Sequence, residues 1–345
     1  MKMKAALKAE PKPGITVATV PVPTCGSDDI ILRIGAAGIC GSDLHLYRWD
    51  ETGQGMARKL PVIIGHEFMG EIVEVGDRVK GFSVGERVAV DPGITCGVCR
   101  GCRTGQPNLC ENREVLGAQL NGGFAQYTLV APDCLYKLPD EVTDAMGAFL
   151  EIFALGVHAV EKASLKPGDT AVVIGAGPIG LSILLCAQTA GARKTYVTEK
   201  HFPSRLEAAK AYGPDAVIDV DEVDPVETIL NINHGQKADV VFEVSGNPVA
   251  VRQAADLARK GGEIIVVGVP PENRVEIPLL TLIDNEISLI PIRGRRHTSW
   301  VRAISLIDKL NVSPIIGTEV KLDDIDEGFK KVINREAIKV IVKPN

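Results

Sequence analysis

AVVIGAGPIG, residues 171–180, is the stretch that decides the fold. A short apolar run ends in Gly175-x-Gly177-x-x-Gly180, and the residues that follow, PIGLSILLCAQTAGA, have the apolar spacing of a helix. In a strand-turn-helix context each glycine has a physical task. The first permits the tight turn, the second lets the backbone approach a pyrophosphate, and the third lets helix and strand pack closely. The helix N-terminus then offers free amides and the positive end of its dipole to the phosphates. The next strand, TYVTE, ends in the acidic Glu199, where such folds place a carboxylate on the adenosine ribose. A carboxylate there favours NAD and repels a 2′-phosphate, while Lys200 and Arg205 close by keep NADP open.

Moving outward, apolar strands continue to alternate with helical stretches: SRLEAAKAYG, ADVVFEVSG, VRQAADLARKGG, EIIVVGV and EISLIPI. This alternation predicts an α/β fold with a doubly wound parallel sheet, a Rossmann domain over residues 153–291. Upstream, DDIILRIGAAGI, GEIVEVGDRVKGF and GERVAVDPG are short β-rich pieces broken by Gly, Asp and Pro, the pattern of a β-barrel-like domain. The tail, SWVRAISLIDKL and then AIKVIVKPN, is too little to fold alone. It is expected to complete the first domain, which then comprises residues 1–152 and 292–345.

The second strong signal is Cys96, Cys99 and Cys102, closed by Cys110. Four thiolates at this spacing suit a tetrahedral zinc cage with no open position, a structural staple rather than a catalyst. An iron–sulfur cluster would use the same thiolates. Of the other four cysteines, Cys186 lies in an apolar helical stretch and reads as core, and Cys25 and Cys134 lie in loop-like sequence. Cys40 begins Cys40-Gly-Ser42-Asp-Leu-His45, and Gly65-His66-Glu67 is the other place where metal-ligand types gather.

Composition limits the alternatives. The 345 residues carry a net charge of −6 with 45% hydrophobic and 24% charged residues, an ordinary globular balance that gives no basic face for nucleic acid beyond a local Arg293, Arg295, Arg296 cluster. The opening MKMKAALKAEPKPG lacks the apolar core of an export signal, and no uncharged apolar run reaches the roughly 18 residues of a spanning helix. A cytoplasmic protein with reduced thiols and no membrane role is expected.

CGSDLH, GHE, CGVCRGCRTGQPNLC and VIGAGPIG, in that order, resemble the zinc-dependent medium-chain dehydrogenase/reductase family over essentially the whole chain, nearest to its polyol, 2,3-butanediol and threonine dehydrogenase branch. The resemblance implies a GroES-like catalytic domain beside the Rossmann domain, and two zinc ions per subunit, one catalytic and one structural. It makes Cys40, His66 and Glu67 the catalytic zinc ligands. Glu151, in FLEIFALGVHA, then either ligates that zinc or acts on it through water. Ser42 would take the proton of a substrate hydroxyl, which passes through the ribose to His45 at the surface, while hydride goes to the nicotinamide. Pro178 and Ile179 would lie at the pyrophosphate, Arg205 near the adenosine ribose, Val267, Gly268 and Val269 at a strand end beside the cofactor, and Ile292 and Arg293 toward the nicotinamide. The branch usually forms homotetramers, with EISLIPI a candidate pairing edge.

The loop PIRGRRHTSW points two ways. Arg293 matches a polyol-binding arginine, whereas Gly294-Arg295 matches a pair seen in threonine dehydrogenases, usually after an aromatic residue that is absent here. A small-molecule polyol or vicinal diol is the expected substrate, with L-threonine the alternative. A zinc- and nucleotide-binding protein without catalysis would need a damaged site, but Cys40, Ser42, His45, His66 and Glu67 all stand.

Overall fold

The computed structural model describes residues 1–57, 59–270, 274–307 and 311–345. They form two compact units, Met1–Glu151 with Arg296–Asn345, and Ile152–Arg295.

In the second unit six strands form one parallel sheet in the spatial order Ala216–Asp219, Lys194–Glu199, Thr170–Ile174, Ala238–Glu243, Ala258–Val266, Ser288–Pro291. In chain order this is 3-2-1-4-5-6, the doubly wound arrangement, with its reversal between Thr170–Ile174 and Ala238–Glu243. Every residue of Thr170–Ile174 is buried, as expected of a strand covered on both faces. Its core joins Val172 and Ile174 to Tyr196, Val241, Leu257 and Ile264.

The first unit is β-rich. A seven-stranded sheet runs Leu135–Lys137, Arg87–Val90, Glu67–Val75, Ile30–Gly38, Lys339–Lys343, Ile316–Lys321, and Tyr127–Val130 also pairs with Ile30–Gly38. A three-stranded sheet holds Lys2–Lys8 between Thr16–Pro21 and Val62–Ile63. Ile30, Leu32, Phe68, Ile72, Val88 and Phe124 meet Phe329, Val340 and Val342 in one core, so residues from the two ends of the chain share it. Two strand ends position the site. Gly38 lies opposite Glu67 in antiparallel register, which brings the residues just after the first strand level with those just before the second. Lys339–Lys343 pairs on the other side of the same strand, Val342 opposite Ala37.

Among the described residues no helix is long and apolar enough to cross a membrane.

Candidate active site

Cys40 follows the Ile30–Gly38 strand and is the N-cap of the helix Gly41–Arg48. His66 immediately precedes the opposing strand and Glu67 opens it, and the turn before them rests on Gly65. Its φ of 92° lies in the left-handed region, and a Cβ there would stand 2.7 Å from the Phe124 ring. The Cys40 sulfur, a His66 ring nitrogen and a Glu67 carboxylate oxygen consequently all lie within 4.8 Å of one another. Glu151, on the helix Asp144–Lys162, is buried and close enough for its charge to act on Glu67, but it is outside that tight group.

Three buried charges surround the group. Asp43 is fully buried; its Oδ1 is 3.2 Å from His66 Nδ1, and its Oδ2 accepts the Cys40 amide at 2.9 Å. One carboxylate therefore orients two of the three candidate ligands and turns His66 Nε2 toward Ser42 Oγ, 3.3 Å away. That is how a carboxylate partner fixes the tautomer of a metal-binding histidine. Desolvation alone would lower the His66 pKa, but Asp43 and Cys40 lift it well above the ordinary imidazole value in the metal-free protein. Lys339, from the returning strand, is buried with its Nζ against Glu67 Oε2 and donates to the Ile39 carbonyl at 2.8 Å. Burial holds the Glu67 carboxyl above its usual range, Lys339 and His66 pull it down, and Glu151 pushes it up. Space for the Glu67–Lys339 pair exists because position 38 is glycine: a Cβ there would meet the carboxylate at 2.4 Å.

Glu67 Oε1 is buried without a hydrogen-bond partner among the described residues. A fully buried carboxylate oxygen left in that state is costly unless a cation takes it. A thiol, an imidazole and a carboxylate converging on one point are zinc donors, so the residues fit the metal.

The second cluster is local. The four sulfurs of Cys96, Cys99, Cys102 and Cys110 lie within 4.8 Å of one another, with Cys99 and Cys102 3.5 Å apart and Cys110 and Cys96 3.6 Å apart. Backbone amides of Val98 and Cys99 pull the Cys96 thiol down to about 6, while burial and the thiols of Cys99 and Cys110 push Cys102 up to about 11. All eight cysteines are free of disulfides.

In the second unit Gly177 caps the helix Pro178–Thr189, with Pro178 at its first position. Gly175 has φ 107°, and a Cβ on Gly180 would stand 1.8 Å from the Gly175 carbonyl, so the turn and the close packing both require glycine. At Gly177 a Cβ would reach only Arg205, at 3.8 Å, leaving the loop open on that side. Glu199 accepts the Ala176 amide at 2.9 Å and the Lys200 amide at 2.9 Å, and pairs with Arg205 at 3.2 Å. Val267 and Gly268 donate their amides to the Glu243 carbonyl, Val269 is 84% exposed, and the Ile292 amide bonds the Val266 carbonyl beside the exposed Arg293.

Comparisons with known proteins establish the family. Residues 26–140 match the alcohol dehydrogenase GroES-like domain, and residues 178–309 match the zinc-binding dehydrogenase family. L-threonine 3-dehydrogenase of Idiomarina loihiensis is 36% identical over 342 residues, 99% of each chain. The chain belongs to the zinc-dependent medium-chain dehydrogenase/reductase family. Within that family, sorbitol dehydrogenase of Bacillus subtilis is 35% identical over 348 residues, covering 99% of this chain and 98% of that one. A Sinorhizobium meliloti 1021 structure, described as a zinc-binding dehydrogenase bound to NADP, superposes with a TM-score of 0.93 at 31% identity, covering 100% of both chains. As a family member the chain is an oxidoreductase acting on CH–OH groups.

Asp43 and Lys339 are the residues around this site that sequence reasoning missed. Asp43 had a local signal, since it stands three residues after the N-cap, where a side chain reaches back to the cap amide. Lys339 had none, because only the returning strand brings it to Glu67.

Proposed function

We propose that this protein oxidises a secondary hydroxyl of a polyol or vicinal diol to a ketone, with NAD as hydride acceptor and zinc held by Cys40, His66 and Glu67. The supporting observation is the convergence of those three donors around a buried carboxylate oxygen that lacks a partner among the described residues. In this reading the first unit carries catalysis and the second the nucleotide. Zinc supplies a Lewis acid that makes a nearby hydroxyl acidic near neutral pH, and the nicotinamide is the hydride acceptor. Ser42, beside His66 Nε2, takes the hydroxyl proton, and His45 releases it to solvent. The carbinol carbon gives up its hydrogen as hydride, so a ketone, NADH and one proton leave. Glu151 acts beside Glu67, as a further ligand or as a proton relay. A second zinc on Cys96, Cys99, Cys102 and Cys110 would have no open position and would serve stability.

Arg293 supports a polyol, held through its hydroxyls. The Gly294-Arg295 pair and the threonine dehydrogenase relative support L-threonine as the second reading. Glu199 supports NAD, although its pairing with Arg205 softens its repulsion of a 2′-phosphate. The working form in this reading is a cytoplasmic homotetramer, with the exposed edge strand Ser288–Pro291 available to pair between subunits.

Initial rates with sorbitol, erythritol, threitol, 2,3-butanediol and L-threonine, each with NAD and NADP, test the reading. Turnover of L-threonine alone would overturn the polyol assignment, and NADP rates equal to or above those with NAD would overturn the cofactor preference.

A further inference from the structure

Five residues after His45, the chain builds a turn that brings a carboxylate to that imidazole. The helix Gly41–Arg48 ends at Trp49 in the left-handed region, φ 56°, a conformation uncommon for a bulky residue. Trp49 is held there from two sides. The buried Lys8 ammonium lies 4.9 Å from its ring centroid, itself tied to the Gly14 and Lys12 carbonyls, and the Gln54 amide donates to the Trp49 carbonyl at 2.9 Å. The next residue, Asp50, is the N-cap of the helix Glu51–Met56. Its two oxygens do different things. Oδ1 accepts the Gly53 amide at 3.0 Å, while Oδ2 stands 2.7 Å from His45 Nδ1. The helices approach so closely that a Cβ on Gly53 would lie 2.2 Å from the His45 carbonyl. Backbone strain held in place by its surroundings tends to accompany function.

We propose that Asp50 is the positioning residue of the proton exit: it accepts the His45 Nδ1–H and so leaves Nε2 as the nitrogen that receives the proton coming from Ser42. This rests on the reading of His45 given above. Although burial pushes the Asp50 carboxyl up, the Gly53 amide and His45 hold it, on balance, below the usual carboxylate range. An ionised carboxylate can only accept, so the 2.7 Å contact places the hydrogen on Nδ1 and leaves Nε2 as the nitrogen open to an incoming proton. In turnover an Nε2–H bond forms and then breaks to water, while Nδ1–H stays in place.

The prediction separates this role from helix capping. Asp, Asn and Ser are comparable N-caps, yet they present different groups to His45. In Asp50→Asn the oxygen stays on the Gly53 amide and the NH2 group faces Nδ1, which forces the hydrogen onto Nε2. In Asp50→Ser the hydroxyl caps but is too short to reach the ring. Zinc-loaded enzyme with NAD, and whichever alcohol of the panel above it oxidises fastest, would be followed for single-turnover NADH formation. Ring 15N shifts of His45 and the melting temperature would be recorded alongside.

The expected result is a slowing of about 10² or more in Asp50→Asn, close to that of His45→Gln, with a smaller loss in Asp50→Ser. Melting temperatures should match wild type, and the 15N shifts should report Nδ1–H in wild type and Nε2–H in Asp50→Asn. Asp50→Ser in the His45→Gln background should have no further effect. If His45→Gln turns over like wild type, the His45 reading fails. If His45→Gln is slow while Asp50→Asn is not, or if Asn and Ser are equally impaired, the role given to Asp50 is overturned. Should Asp50→Asn fail to fold, wild-type 15N shifts reporting Nε2–H would overturn it independently.

Discussion

Cys96, Cys99, Cys102 and Cys110 come from one short loop, and three of the four are only partly buried. Cys40, His66 and Glu67 come from two strand ends, and their surroundings include the buried charges of Asp43, Glu151 and Lys339. The first cluster carries its own geometry in its spacing and uses backbone amides to favour thiolate at Cys96 and Cys99. The second has its geometry imposed by strand register and needs a buried lysine from the opposite end of the chain beside its carboxylate. Local construction suits a staple. Distributed construction suits a site that keeps a position open, because the fold rather than the ligands holds the donors apart.

The largest contrast should appear on deleting one donor from each cluster. Cys40→Ala or His66→Ala should abolish turnover and leave NAD binding nearly intact, with zinc content falling from two per subunit toward one. Cys99→Ser should lose the other zinc and lower the melting temperature while single-turnover rates stay within a few-fold. Inactivation by Cys99→Ser at temperatures where the protein stays folded would break the distinction.

Next in size, Asp43→Asn should weaken zinc affinity or turnover by about 10- to 100-fold, the usual cost of losing a carboxylate behind a metal-binding histidine. Competition with a chelator measures it, and an unchanged affinity and rate would show that Asp43 serves only the helix cap. Removing Lys339 tests the buried charge pair. Lys339→Met should destabilise the metal-free protein by about 3–5 kcal/mol in urea denaturation, because Glu67 is left buried and unpaired, and zinc should restore part of the loss.

The smallest effect concerns pH. In the metal-free protein Cys96 titrates at about 6, below the ordinary thiol, and Cys102 at about 11. A depressed thiol contributes stability above its unfolded value of about 8.5, and the contribution is lost as pH falls through 6. At pH 7 Cys96 is the more ionised of these two, so iodoacetamide should modify Cys96 before Cys102. Mass spectrometry of peptides after brief labelling would read the order, and equal rates at the two sulfurs would contradict it.

Legibility in the sequence followed the same division. The glycines at 175, 177 and 180 and the four-cysteine loop were readable because their function depends on local conformation, and the parallel sheet was readable from the apolar alternation around them. Glu67 could be named only through its place after His66, and its burial against Lys339 was invisible because the two lie far apart in the chain. Asp50 escaped notice for another reason. Its spacing from His45 fits no helical period, since the chain turns at Trp49 between them.

The helix Gly41–Arg48 and its cap hold Cys40, Ser42, Asp43 and His45 within less than two turns. In the function proposed above, metal donor, proton acceptor, orienting carboxylate and exit base therefore share one short stretch of inheritance. Recombination within that stretch would seldom exchange one without the others. Inserting or deleting a single residue between Cys40 and His45 would turn everything beyond it by about 100° around the helix axis, severing the exit base from the metal donor in one genetic event. Substitutions can tune this site one residue at a time, but changes of length there should be all-or-none.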